Sequence, residues 1–131
     1  MLAVKKNAVR LSVLAFASFV ARTTLEFRYV FTEEMFPQDL GTMTAAMLFY
    51  TLIITAWLLA HLQVERGVRK GWTWILVFSA LTLFEGVGTT FSFCPTPCQT
   101  AWPVAEILNW SQWILGGLAA YAALIQLRDS K

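Results

Sequence analysis

The chain has 131 residues and a formal net charge of +2, with 57% hydrophobic, 15% aromatic and only 14% charged residues. This balance is too apolar for a soluble domain of this length, so it indicates an integral membrane protein and excludes the common soluble enzymes and binding modules. The basic residues of the connecting segments are interpreted as topological signals and not as a nucleic-acid footprint, so no nucleic-acid partner is predicted.

The first apolar segment, residues 8–31, follows a short basic stretch. Basic residues before an apolar run are typical of a signal peptide, but Phe19 and Ala21 near its end do not form the small-x-small pattern of a cleavage site. We therefore expect a membrane anchor that is retained. Three charged residues lie near the end of this segment, namely Arg22, Glu26 and Arg28.

Three further apolar segments follow, at 42–62, 72–93 and 102–127. Each has the roughly 20 residues that cross about 30 Å of hydrocarbon. Each is predicted to be a helix, because an isolated strand would leave its backbone polar groups unpaired in lipid. The predicted fold is therefore an all-α integral membrane protein with one domain, residues 1–131, in which four transmembrane helices form an antiparallel bundle.

The basic residues predict the orientation of this bundle. They precede the first span, separate the second from the third and follow the fourth, whereas the other two connections have none. The positive-inside rule therefore places both termini in the cytoplasm, and the predicted location is the cell inner (plasma) membrane. The residues concerned are Lys5, Lys6, Arg10, Arg66, Arg69, Lys70, Arg128 and Lys131.

Both cysteines, Cys94 and Cys98, lie in a connection assigned to the outer, oxidising side. A disulfide is the favoured interpretation, and it requires the segment around Pro95 and Pro97 to turn back on itself. A redox-active or metal-binding pair is the alternative. It is weaker, because the spacing is neither C-x-x-C nor part of a four-ligand cluster, and no metal site is predicted.

Polar groups from all four predicted helices share one depth in the outer half of the bilayer. Counting about 1.5 Å of rise per residue from the outer helix ends puts Arg22 at roughly 14 Å and Glu85 at roughly 12 Å, so these opposite charges form a natural pair. Arg22 can also share a helix face with Glu26. The predicted charge layer consists of Arg22, Glu26, Tyr50, Glu85, Glu106, Asn109 and Gln112.

The sequence leaves two interpretations of this charge layer open. One is a structural salt-bridge network that fixes the register of the helices. The other is a binding site in which one glutamate stays protonated or holds a cation, because the carboxylates outnumber the arginines. No catalytic residue is identified and no cofactor is assigned. The only histidine, His61, is the one candidate ligand for a haem or chlorophyll, although an interfacial histidine is usually just amphipathic.

In its four spans, cytoplasmic termini and length, the chain resembles the DoxX-like proteins and, in size, the small multidrug transporters. The resemblance is one of shape. The transporter family has an essential glutamate in the middle of its first span, whereas Glu26 lies near the outer end and is flanked by Arg22 and Arg28. No functional residue is therefore transferred from either family.

The favoured function is non-enzymatic: an accessory or assembly subunit of a larger membrane complex, as short loops and absent catalytic motifs indicate. The alternative is a dimeric proton- or ion-coupled transporter of small molecules that uses the charge layer as its binding site. A redox or quinone-linked protein using Cys94 and Cys98 is the weakest, because nothing near them in sequence activates a thiolate. The predicted partners are the lipid bilayer and either a larger membrane complex or a second copy of the chain.

Overall fold

Four α-helices make up residues 2–30, 40–91 and 104–129, which are the part of the chain that the computed structural model describes. No strand occurs in these ranges, so the prediction of an all-α protein with four helices is confirmed. The helices are α1 (Leu2–Val30), α2 (Leu40–Glu65), α3 (Arg69–Phe91) and α4 (Val104–Asp129).

The helices extend beyond the predicted spans at their basic ends. α1 begins at Leu2 rather than at residue 8, and α2 continues to Glu65. Lysine, arginine and glutamine are good helix formers, so the helices continue where the apolar pattern stops. Within the described ranges, Met47–Glu65 of α2 is the one stretch long and apolar enough to cross a membrane by length and composition. The other three spans stay predictions.

Each helix runs antiparallel to its neighbours. Gly86 of α3 lies against Trp113 of α4, and Gly116 of α4 lies against Leu83 of α3, so the two helices run in opposite directions. The α3–α4 interface is the most extensive, followed by α1–α4 and α2–α3, whereas α1 and α2 make few contacts. The packing between α1 and α2 is therefore looser than that at the three larger interfaces.

A tight turn joins α2 to α3. The N–H of Val68 donates to the carbonyl of Gln63 at 2.9 Å, and the N–H of Gly67 donates to the carbonyl of Val64 at 3.0 Å. This is the pattern of a Schellman motif, in which the residue after the helix cap adopts a left-handed conformation. Gly67 fills that position with a φ of 78°, which a residue with a side chain adopts only at a cost.

Trp57 occupies the centre of the core and is fully buried. Its ring contacts Phe16, Phe19 and Phe78, with centroid distances of 5.3, 5.9 and 6.0 Å, so it joins side chains from α1 and α3. Trp110 of α4, by contrast, is 42% exposed and lies on the surface of the bundle.

Candidate functional site

Arg22 is the centre of a polar cluster that joins three helices. Its Nη1 lies 2.6 Å from Oε1 of Glu85 on α3, and its Nε donates to Oδ1 of Asn109 on α4 at 2.8 Å. The guanidinium is the group suited to this geometry, because its planar fork presents several donors and stays charged. The predicted pairing of Arg22 with Glu85 is thus present, and Asn109 of the same layer completes the cluster.

The two charged side chains of this cluster differ in their exposure to solvent. The side chain of Arg22 keeps 12% of its accessible surface, whereas that of Glu85 keeps 32%. An ionised group at this level of burial needs a partner of opposite charge, and each of these two supplies it to the other. The arginine is therefore enclosed between helices, while the carboxylate has an accessible side.

Gln112 lies one helical turn from Asn109, on the buried face of α4. Its Nε2 is 3.4 Å from the carbonyl oxygen of Thr82, and its Oε1 has no hydrogen-bond partner in the described part of the chain. Ser79 Oγ, also on α3, is equally buried and equally unpartnered there. Gln112 thus belongs to the interior, but it bonds to the α3 backbone rather than to Arg22.

The remaining members of the predicted charge layer divide into two groups. Tyr50 of α2 packs beside Phe19, with ring centroids 6.1 Å apart. Glu26 and Glu106 lie within α1 and α4, but their side chains fall outside the described residues, as do Cys94 and Cys98. No disulfide occurs in the described ranges, so the bridge between these cysteines stays a prediction.

A cleft opens where α1 and α2 diverge. It has a volume of about 180 Å³. The hydroxyls of Thr24 and Thr51 donate to the carbonyls of Val20 and Met47 in their own helices, at 2.8 and 2.7 Å. The cleft therefore presents mainly hydrocarbon. Its lining consists of Val20, Thr23, Thr24, Met47, Tyr50, Thr51 and Ile54.

A second polar cluster, which the sequence did not reveal, joins α1 to α2. Ser12 Oγ lies 2.7 Å from Nε2 of His61 and accepts a 3.4 Å hydrogen bond from Nε1 of Trp57. Nδ1 of His61 lies 3.0 Å from the carbonyl oxygen of Trp57. The one signal in the sequence is the four-residue spacing of Trp57 and His61, which places both on one helix face. A serine 45 or more residues away has no such signature.

The hydrogen bonds assign the protons in this second cluster. A carbonyl oxygen only accepts, so Nδ1 of His61 carries the proton that it shares with Trp57. Nε2 then accepts from the Ser12 hydroxyl, which itself accepts from the Trp57 indole. Both imidazole nitrogens are engaged, so coordination of a haem or chlorophyll by His61 would break one of these bonds. The expected amphipathic histidine is instead a buried one, 8% exposed.

Within residues 2–30, 40–91 and 104–129, no group of three or more histidine, cysteine, aspartate or glutamate side chains could hold a metal ion. Comparison of the chain with protein-family models, curated proteins and solved structures finds no match to any of them. The function must therefore be argued from the geometry of this chain alone.

Proposed function

We propose that this chain is a multi-pass protein of the cell inner (plasma) membrane and serves as a non-enzymatic accessory or assembly subunit of a larger membrane complex. The observation that carries the proposal is that Arg22 and Glu85, the described charges of the polar layer, hold the chain's own helices together. Arg22 is bonded to Glu85 and Asn109, so one cationic side chain on α1 fixes the register of α3 and α4.

The distribution of polarity supports the membrane location. Among the side chains that the structure describes, six polar ones are buried: Ser12, Thr23, His61, Ser79, Thr82 and Gln112. Large apolar side chains on all four helices are exposed, among them Leu14, Leu52, Phe84 and Leu118 at 52, 69, 73 and 48%. A soluble bundle places its apolar residues inside, whereas contiguous exposed apolar surface marks contact with lipid or with another protein. The bilayer is the environment that such an exterior fits.

The cleft between α1 and α2 is the surface at which we expect a partner helix to bind. α2 packs mainly on α3, and its edge toward α1 is left with an apolar cleft. Helix association in membranes depends on close van der Waals packing, so a poorly packed seam is where an additional helix gains contacts. We therefore assign the cleft between α1 and α2 to an apolar transmembrane helix of a larger complex.

Labelling from one side of the membrane tests the location. In a background with Cys94→Ser and Cys98→Ser, a Glu34→Cys variant should react with an impermeant thiol reagent added outside intact cells. An Arg69→Cys variant should react only after the cells are opened. Equal reactivity of the two variants in intact cells would contradict the topology.

Cross-linking in the native membrane tests the subunit role. A photoreactive residue at Met47, which lines the cleft and is 56% exposed, should form one discrete adduct. The same residue at Tyr121, 66% exposed on α4, is the control and should form none. A Thr51→Phe substitution that fills the cleft should abolish the Met47 adduct. An adduct with twice the mass of the chain would indicate a homo-oligomer, and adducts to lipid alone would overturn the subunit role at this face.

One observation favours the second candidate, a proton- or ion-coupled transporter. The side chain of Glu85 is 32% exposed although it lies beside a nearly enclosed arginine, so a proton or cation can reach the carboxylate without unfolding the bundle. Buried carboxylates next to a partner charge are the groups that proton coupling uses. Proton uptake or release that depends on Glu85 distinguishes this candidate from the subunit.

A further inference from the structure

The end of the bundle where α2 turns into α3 is strongly basic. It also includes the first turns of α1 and the last turn of α4, and neither α1 nor α3 has an acidic residue in its first turn. Two acidic residues, Glu65 and Asp129, lie at this end in the described part of the chain. The basic residues there, hereafter the basic rim, are Lys5, Lys6, Arg10, Arg66, Arg69, Lys70 and Arg128.

Tertiary contacts bring the basic rim to one level. The bond between Ser12 and His61 aligns α1 with α2, so that Lys5 and Lys6, two turns before Ser12, lie level with the turn after α2. On the other side, Nη2 of Arg69 donates to the carbonyl of Leu127 at 3.2 Å and ties the same turn to the end of α4. Three chain segments thus present their cations in one plane.

Exposed apolar side chains lie directly beside these cations. Val4, Leu62 and Trp74 are 54, 42 and 51% exposed on α1, α2 and α3. Val68, inside the turn and between two arginines of the basic rim, is 41% exposed. A cationic plane bordered by hydrocarbon fits a molecule with an anionic head and an apolar tail. A wholly polar polyanion such as a nucleic acid would leave the apolar side chains without a partner.

We infer that the basic rim binds the phosphate headgroups of anionic phospholipids. This inference rests on the proposed membrane location, but not on the subunit role. Arg128 lies 3.0 Å from Asp129, so its charge is already balanced. We assign the binding to Arg66 on the turn and Lys70 in the first turn of α3, together with Lys5 and Lys6 of α1 at the same level. These four are the side chains through which a lipid phosphate bridges α1 to the α2–α3 turn.

Quenching of tryptophan fluorescence by brominated lipids tests the inference with the full chain. The purified protein, in bilayer nanodiscs, is compared with brominated phosphatidylglycerol and with brominated phosphatidylcholine, which differ in headgroup charge. Lys and Arg near a membrane surface each favour anionic lipid by about fivefold. The natural chain should therefore prefer the anionic lipid by about 25-fold or more, which is about fivefold for each of Arg66 and Lys70.

Matched variants locate the site. An Arg66→Gln/Lys70→Gln double variant should lose about fivefold of this preference for each cation removed. Arg66→Lys/Lys70→Arg, which keeps both charges, should retain it and shows whether the turn still folds. An Arg128→Gln/Asp129→Asn double variant, which removes both charges of an ion pair and leaves the net charge unchanged, is the control, and its preference should be unchanged.

The outcomes distinguish the headgroup site from the membrane location. Equal quenching by the two lipids in the natural chain would overturn the headgroup site and leave the membrane location intact. Absence of quenching by either lipid would overturn the membrane location itself. A preference that survives the Arg66→Gln/Lys70→Gln variant, or that falls equally in Arg128→Gln/Asp129→Asn, would overturn the assignment to the basic rim.

Discussion

Nη1 of Arg22 lies 2.6 Å from Oε1 of Glu85, although 63 positions separate the two residues along the chain. The contact joins the C-terminal part of α1 to the C-terminal part of α3. Because Arg22 also bonds to Asn109, a single guanidinium of α1 links α3 and α4. The stability of the bundle should therefore depend on this pair in a way that single and double substitutions reveal.

Arg22→Met and Glu85→Met should each destabilise the bundle, because each leaves the other residue of the pair charged, partly buried and without its partner. We expect a loss of about 3 kcal/mol in the free energy of unfolding, at the lower end of the range for buried pairs because Glu85 is partly exposed. The double variant should recover much of that loss. Unfolding in mixed detergent measures all three values. Arg128→Met, which removes an exposed pair, should change stability by less than about 1 kcal/mol. Strictly additive losses at Arg22 and Glu85 would show that the two residues are not coupled.

Gly86→Ala should loosen the α3–α4 interface. A Cβ at residue 86 would lie 2.7 Å from Cβ of Trp113, so the helices must move apart, at a cost of about 1–3 kcal/mol. Gly117→Ala is the matched control, because a Cβ there would meet Cδ1 of Leu83 at an ordinary 3.6 Å. The control should be neutral or slightly stabilising. Equal thermal stability of the two variants would contradict the close approach at Gly86.

Ser12→Ala should destabilise the contact between α1 and α2. The substitution leaves the Trp57 indole and Nε2 of His61 without their shared partner, and a buried unsatisfied polar group costs about 1–3 kcal/mol. Thr24→Ala removes an exposed hydroxyl that bonds only to its own helix, and it should change stability by less than about 0.5 kcal/mol. The comparison is made by thermal unfolding, with the change in Trp57 fluorescence as a local signal. A Ser12→Ala variant as stable as Thr24→Ala would argue against the cluster.

Glu85→Gln separates the two candidate functions. If the chain is a structural subunit, the purified protein releases no protons when a candidate small molecule is added, and the variant loses stability or partner association because a charge partner of Arg22 is gone. In a coupled carrier, the natural chain releases protons on ligand addition and the variant does not. Glu106→Gln is measured in parallel, since Glu106 belongs to the same predicted layer. We expect the structural outcome, because Arg22 and Glu85 neutralise each other.

The predicted disulfide is tested by mass. Alkylation of the denatured chain without reductant should add no alkyl group, and alkylation after reduction should add two, because a bridged pair hides both thiols. Double alkylation without a reductant would show a free pair, and it would return Cys94 and Cys98 to the redox alternative.

The sequence predicted those parts of the fold and site that depend on position along a helix. Counting depth from the helix ends placed Arg22 and Glu85 at one level, and depth is a local property of a helix. The same count placed Tyr50 in the layer, and the ring of Tyr50 packs beside Phe19, a contact that depth alone does not predict. The cluster of Ser12, His61 and Trp57 depends on the rotation of α1 against α2, which hydropathy does not encode.

The pair of Arg22 and Glu85 has a consequence for the order of events during synthesis. Arg22 emerges from the ribosome well before Glu85 and Asn109, so α1 reaches the membrane with a charge whose partners do not yet exist. A lone arginine inside hydrocarbon is disfavoured by about 2.5–3.5 kcal/mol on insertion scales. In the proposed membrane setting, we therefore expect the C-terminal half of α1 to stay at the insertion machinery or in contact with water until α3 and α4 are made. On this account, α1 is the first helix to be synthesised and the last to reach its final position in the bundle.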